Sequence, residues 1–170
     1  GNVSILVGLI ICILVLLMGE KLGLGTILNI FVIGVFIDLL LALDWIPLAN
    51  ELIPGILVMM LGLFIISFGS YFYINSGFGA GPRDSLMVAM ERKTKLSVGL
   101  CRAIIEVSVV LIGWILGGPV GIGTIISAFG IGFCIQIVFT LMKFDATAVK
   151  HETIDMTRKN LRLLCSKKEI

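Results

Sequence analysis

The chain has 170 residues, of which 58% are hydrophobic and 14% are charged, and its formal net charge is +2. A soluble domain is about 45–50% apolar and about 25% charged, so this composition excludes a soluble globule, a disordered chain and a fibrous protein. With a mean hydropathy of +1.14, the chain is predicted to be an integral membrane protein.

Five long apolar runs follow one another along the chain. A membrane-spanning helix needs about 20 apolar residues, and the runs meet or approach that length. They lack the alternating pattern of barrel strands, so helices are the expected form. We predict an all-α, polytopic transmembrane bundle with five spans, at residues 3–18, 26–43, 55–73, 97–116 and 124–142.

A glycine-rich turn, Gly77-Phe-Gly-Ala-Gly-Pro-Arg83-Asp84, follows the third run. Proline suits the first turn of a helix and Asp84 suits its positive N-terminus. The pattern predicts a short helix over residues 82–93, about 18 Å long, which lies on the inner surface or re-enters the bilayer. Arg83 and Asp84 are candidate binding residues, since broken helices of transporters direct N-termini at anionic groups. The alternative is a surface turn in which both pair with neighbours.

The fourth run contains Arg102 and Glu106, which share one helix face at a spacing of i, i+4. Counted from Ser97, Glu106 lies about 13 Å along the helix, near the middle of a core about 30 Å thick. Charges at that depth usually face the bundle interior and mark pathways or internal pairs. Arg102 and Glu106 are therefore candidate binding residues; the alternative is a structural pair with Arg102 partly snorkelling inward.

The positions of Lys and Arg predict the topology, because these residues gather in cytoplasmic loops. Residues 44–54 and 117–121 contain neither and are expected outside the cell. One alternating scheme fits every connection and leaves the C-terminus in the cytoplasm. The inner connections carry basic residues, namely Lys21, Arg83, Arg92, Lys93, Lys95 and those of the tail. The tail, residues 144–170, is expected to be a surface helix from about Thr153.

The sequence contains an internal repeat in which Gly23 aligns with Gly121. Between Gly19 and Leu39, nine of twenty-one positions are identical at this offset. The aligned copies are separated by three membrane crossings, so the second copy is inverted. Inverted repeats are typical of secondary transporters, which bind substrate near the midplane between the repeats.

The repeat predicts the organisation of the chain. Residues 1–43 form an incomplete first unit with two spans, and residues 44–54 form an external loop. Residues 55–143 form a second unit of three spans plus the short helix, and residues 144–170 form the basic tail. The third run and the short helix have no counterpart here, so we expect an upstream piece with a sixth span and a second short helix.

Two further sets of candidates come from the repeat. The duplicated Gly-x-Gly-Thr precedes the second and fifth runs, where glycines and a hydroxyl at a helix start can present N–H groups to an anion. Tight turns are the more frequent role of such glycines. Asp38 and Gln136 are polar residues at equivalent positions within spans, although Asp38 can also sit near the outer headgroups. The duplicated motif consists of Gly23, Gly25, Thr26, Gly121, Gly123 and Thr124.

Catalytic and metal-binding patterns are missing from the sequence. It contains no G-x-S-x-G, H-E-x-x-H or Walker motif, and its one histidine, His151, lies in the polar tail. No pair among its four cysteines has a zinc-like spacing. We therefore expect no enzyme, no metal, no cofactor and no nucleic-acid partner.

Three motifs together resemble those of the YczE-type bacterial inner-membrane proteins, often grouped with the YyaS and YitT names. They are Gly79-Ala-Gly-Pro-Arg-Asp-Ser-Leu86, Arg102-x-x-x-Glu106 and Gly117-Gly-Pro-Val-Gly-Ile-Gly-Thr124. The resemblance covers nearly the whole chain. It implies a polytopic protein of the bacterial plasma membrane that is longer than this chain, and it implies no particular substrate or catalytic residue.

The sequence favours a secondary-transporter-like carrier of a small solute bound between inverted repeats. The alternative is a non-transporting accessory protein that assists membrane-associated biosynthesis or export. The expected partners are the lipid bilayer, a small solute, and a second copy or another membrane protein.

Overall fold

A computed structural model describes residues 2–20, 22–43 and 51–149, and this part of the chain is entirely helical. Each predicted apolar run corresponds to one helix, and the predicted short helix is also present. The six helices are α1 (Asn2–Leu17), α2 (Leu24–Leu43), α3 (Leu52–Asn75), α4 (Pro82–Thr94), α5 (Val98–Ile115) and α6 (Ile122–Leu141).

Four of these helices are long and apolar enough to cross a membrane. They are α2, α3, α5 and α6, which contain between 18 and 24 residues. Helix α1 carries no charged residue but has only 16 residues, so a fifth span at this position stays a prediction. The membrane-protein class expected from composition is confirmed by these four helices.

Helices α3, α5 and α6 pack side by side, with α6 in contact with both of the others. The closest approach is at Gly99 of α5 and Gly132 of α6, where a Cβ added to Gly99 would lie 2.6 Å from the carbonyl oxygen of Gly132. Glycine lets helix backbones approach closely in lipid, where no hydrophobic force draws the helices together. Gly99 and Gly132 are therefore packing residues.

Helix α4 lies inside the bundle rather than flat on a surface. It packs against α1, α2 and α5, and its buried residues include Met87, Val88 and Ala89. A Cβ on Gly8, in the middle of α1, would lie 3.6 Å from the ring of Pro82, at the start of α4. At the other end of both helices Arg92 bonds to Glu20. Helix α4 therefore runs alongside α1 in the same direction, and its N-terminus reaches the middle of the bundle.

The glycine-rich turn before α4 rests on the N-terminal turn of α2. The Thr26 hydroxyl donates a 2.6 Å hydrogen bond to the carbonyl of Ala80, and the Gly25 amide donates one of 3.1 Å to the carbonyl of Phe78. Gly79 has a φ of +131°, and a Cβ there would lie 3.0 Å from Thr26 Oγ1. Only glycine fits this backbone conformation at this distance.

Two predicted segments lie wholly or partly outside the described residues. The expected external loop, residues 44–54, is shorter than predicted at its far end, because α3 already begins at Leu52. Of the predicted basic tail, the structure describes only the first residues, up to Val149, which form a turn. The helix expected from about Thr153 falls outside the described residues.

Candidate functional site

Four charged residues at the N-terminal end of α4 and in the middle of α5 form one connected ionic network. Its members, in order of connection, are Asp84, Arg102, Glu106 and Arg83. We call these four side chains the ionic network. All four were predicted as binding residues from the sequence, and the structure brings them together.

Arg102 is the centre of the ionic network. Its Nη1 pairs with Asp84 and its Nη2 lies 3.0 Å from Glu106. The side chains of Arg102 and Asp84 are 8% and 4% exposed, so this pair is removed from solvent. The i, i+4 pairing with Glu106 was one of the two readings of the sequence, but the bond to Asp84, 18 positions away, was not foreseen.

Arg83 forms the outer end of the ionic network. Its Nη1 lies 3.3 Å from both carboxylate oxygens of Glu106. The Arg83 side chain is 42% exposed, whereas that of Glu106 is 12% exposed. The network thus runs from a buried carboxylate to a half-exposed guanidinium.

Two residues of α3 complete the surroundings of Asp84 and were not predicted. The Ser70 hydroxyl donates a 3.1 Å hydrogen bond to Asp84, and it also lies 3.2 Å from the hydroxyl of Tyr73. A polar residue within an apolar run was the only signal that could have identified Ser70. The two carboxylate oxygens of Asp84 therefore have separate partners, Arg102 and Ser70, as buried polar groups require.

One polar atom of the network has no partner. The Nε of Arg102 is buried and makes no hydrogen bond to any described residue. An unsatisfied donor of this kind costs free energy, because it has lost its hydrogen bonds to water. The two arginines and two carboxylates otherwise balance, so the network has no net formal charge.

The structure does not bring Asp38 and Gln136 to the ionic network. Gln136 lies at the contact of α5 and α6, where it accepts a 2.9 Å hydrogen bond from the Gly99 amide and contacts Thr140. Asp38 is exposed on α2. The equivalence of the two positions in the repeat therefore does not extend to a shared site among the described residues.

The two copies of the Gly-x-Gly-Thr motif have different surroundings. Gly25 and Thr26 hold the turn before α4, as described above. In the second copy, a Cβ on Gly121 or Gly123 would meet nothing within 4 Å, and the Thr124 hydroxyl accepts a 3.4 Å hydrogen bond from the amide of Gly121. The first copy therefore positions α4, whereas the second is an exposed helix start.

A second polar cluster lies at the other end of α4 and was not predicted as a site. Arg92 bonds to Glu20 at 2.9 Å and to the carbonyls of Thr147 and Val149 at 3.1 and 3.3 Å. Hydrogen bonds from Thr147 hold the pKa of Asp145 below its usual range. Arg92 thus links the segments that follow α1 and α6 to the end of α4.

The described residues contain no metal site. Within residues 2–20, 22–43 and 51–149, no three His, Cys, Asp or Glu side chains are close enough together to hold a metal ion. Cys12, Cys101 and Cys134 are buried free thiols. They behave as small hydrophobic residues.

Comparison with known proteins identifies a family and three relatives. The family described as "Family of unknown function (DUF6198)" matches residues 1–140. The chain is 38% identical over 122 residues to an "Uncharacterized protein" of Haemophilus influenzae, a match that covers 72% of this chain and 55% of that protein. It is 38% identical over 112 residues to the "Uncharacterized membrane protein YczE" of Bacillus subtilis, covering 66% and 51% of the two chains.

A third relative is the "Uncharacterized protein YyaS" of Bacillus subtilis, which is 26% identical over 143 residues, or 84% of this chain and 71% of that protein. The chain spans about half the length of the first two relatives. No solved structure matches it. The YczE-type resemblance expected from the three motifs is confirmed.

Proposed function

We propose, on the premise that this chain belongs to the DUF6198 family of YczE-type membrane proteins, that it is a secondary-transporter-like carrier of a small solute. The observation that supports this function is the ionic network at the start of a short helix inside the bundle. Ionisable residues inside membrane proteins are costly, and they are usually retained where a substrate or ion passes.

The position of α4 supports the same function. Helix α4 contacts α1, α2 and α5, so it touches helices of both predicted repeat units. Short and interrupted helices at such a junction are the usual binding elements of transporters built from inverted repeats. We place the solute site beside Arg83, at the half-exposed end of the ionic network.

The proposed carrier is a multi-pass protein of the bacterial plasma membrane with a cytoplasmic C-terminus. Neither the order of helices nor the ionic network requires a chemical step, so we propose no enzymatic activity. The inverted arrangement of the two units is part of the proposal, because it supplies the two access states that a carrier alternates between.

Solute flux into liposomes containing the purified full-length protein tests this function. We expect flux that Arg83→Gln and Glu106→Gln each reduce by at least about tenfold, since each removes a charge from the site. Lys93→Gln is the matched control, because Lys93 is exposed at the far end of the same helix. Flux unaffected by the first two variants would refute the site.

The accessory role expected as the alternative gives a different result in the same preparation. An accessory protein shows no flux by itself and is purified with a stable membrane-protein partner. Absence of flux together with such a complex would refute the carrier proposal and support the accessory role.

A further inference from the structure

The two ion pairs at the ends of the ionic network differ in how easily they can open. The side chains of Asp84 and Arg102 are 4% and 8% exposed, whereas Arg83 is 42% exposed. Separating the first pair would leave the buried Asp84 carboxylate without its counter-ion in a medium of low dielectric constant, which is costly. The outer pair, Arg83–Glu106, can exchange partners with a ligand that reaches it from outside the network.

In the outer pair, the guanidinium of Arg83 uses only part of its hydrogen-bonding capacity. Arg83 contacts Glu106 through one nitrogen, Nη1, at 3.3 Å from each oxygen. These distances exceed the usual 2.7–2.9 Å of a charge-assisted hydrogen bond. A guanidinium has five N–H donors arranged to bind a carboxylate through two nitrogens. Arg83 therefore retains donors for a second carboxylate.

The charge balance of the network determines what a ligand must offer. The four side chains sum to zero formal charge, so a simple anion would leave the occupied site with one negative charge and a simple cation with one positive charge. A molecule with both a carboxylate and an ammonium group can replace each partner of the outer pair. Its carboxylate would bind Arg83 and its ammonium would bind Glu106, and every charge would stay paired.

The helix direction fixes the orientation of such a ligand. Arg83 is in the first turn of α4, and the N-cap residue of this helix, Gly81, provides no side-chain cap. The positive end of the helix dipole favours the negative end of the ligand. Glu106, on α5, lies opposite Arg83 and would bind the ammonium group at the other end of the ligand.

From these observations we propose that the Arg83–Glu106 pair is a binding site for a zwitterionic solute, of the class of small amino acids and related amino-carboxylic acids. The inference rests on the proposed function, because it names the substrate class of that same site. The ligand inserts between the two side chains, and Asp84 and Arg102 keep their own pair.

Thermal stabilisation of the purified full-length protein tests the substrate class. The probes are the twenty standard amino acids, each measured singly. The comparison compounds are acetate and methylammonium, the anionic and cationic fragments of glycine, and acetamide, a neutral analogue of acetate. We expect at least one amino acid to raise the melting temperature by about 2–4 °C at saturating concentration. The three comparison compounds at the same concentration should raise it by less.

Variants connect the stabilisation to the proposed residues. Arg83→Gln and Glu106→Gln should each weaken the effect of the amino acid by at least about tenfold in concentration, because each removes one charge partner. Lys93→Gln should leave it unchanged. The inference would be overturned if acetate or methylammonium stabilised the protein as well as the amino acid does. It would also be overturned if no amino acid stabilised the protein, or if the effect survived both network variants.

Flux measurements separate this inference from the carrier function. Flux of a solute that is not zwitterionic, reduced by Arg83→Gln, would retain the carrier and refute the substrate class. Stabilisation by an amino acid that depends on Arg83 and Glu106, without flux of that amino acid, would retain the binding site and refute the carrier.

Discussion

Arg102 compensates two carboxylates at once, and the buried part of the ionic network depends on it. Its side chain joins Asp84 to Glu106, and both bonds lie within the bundle. Removal of one partner from a buried ion pair is more damaging than removal of both, because the remaining charge has neither water nor a counter-ion.

Replacement of Arg102 by methionine is therefore expected to destabilise the protein by about 3–5 kcal/mol. The double variant Asp84→Leu/Arg102→Met should be less destabilised than Arg102→Met alone, since it leaves no buried charge at Asp84. Denaturation in detergent measures both. A double variant that is destabilised as much as Arg102→Met, or by more, would contradict the pairing of Asp84 with Arg102.

Close backbone contact makes Gly99 a second sensitive position. A Cβ at Gly99 would lie 2.6 Å from the carbonyl oxygen of Gly132, whereas a Cβ at Gly113, in the same helix, would meet nothing within 4 Å. Gly99→Ala should cost about 1–3 kcal/mol by forcing α5 and α6 apart. Gly113→Ala should be neutral or stabilising. A melting-temperature comparison decides between the two, and equal effects would refute the close packing.

At the scale of the elements, the short helix α4 is held at its N-terminal end by α2 and at its C-terminal end by the segments that follow α1 and α6. Its N-terminal end depends on Thr26 of α2, and its C-terminal end depends on Arg92, which bonds to Glu20 and to two backbone carbonyls. Helix α4 is therefore fixed by hydrogen bonds as well as by its apolar contacts.

The matched threonines of the repeat test the N-terminal attachment. Thr26→Val removes the donor to Ala80 and should cost about 1 kcal/mol. Thr124→Val removes only a 3.4 Å contact with the exposed amide of Gly121 and should cost less. Both variants keep the β-branched shape, so unfolding measurements compare the hydrogen bonds alone. A larger loss at Thr124 would be inconsistent with the different surroundings of the two motifs.

The Arg92 attachment has its own test. Arg92→Ala should increase tryptic cleavage at Lys143, because the carbonyls of Thr147 and Val149 lose their donor and the segment after α6 opens more often. Lys93→Ala removes a neighbouring exposed cation without these bonds and serves as the control. Unchanged cleavage in the Arg92 variant would show that the segment is held by other contacts.

The sequence predicts the helices well and their meeting points poorly. Long apolar runs and the Gly-Pro-Arg-Asp start of α4 are local signals, so all six elements appear close to their predicted bounds. The pair of Arg102 with Asp84 and the hydrogen bond from Ser70 depend on packing between helices, for which the sequence has no local signal. Gln136 looks like a site residue in the repeat alignment, but its side-chain oxygen accepts a hydrogen bond from the backbone amide of Gly99.

At the scale of the whole molecule, the proposed inverted arrangement of the two units predicts which side of the membrane each connection faces. A single cysteine at Leu22 should react with an impermeant thiol reagent only from the cytoplasmic side, and one at Val120 only from outside. The measurement compares intact cells with inverted vesicles. Labelling of both positions from the same side would refute the inverted repeat. The native cysteines to be replaced beforehand are Cys12, Cys101, Cys134 and Cys165.

The formal neutrality of the ionic network has an electrical consequence. A unit charge that moves across the full membrane potential exchanges about 2.3 kcal/mol with the field per 100 mV. Asp84, Arg102, Glu106 and Arg83 move as a neutral group if α4 and α5 shift together, so the field does no work on them. A zwitterionic cargo is neutral as well, and its transport would then be independent of voltage unless an additional ion travels with it.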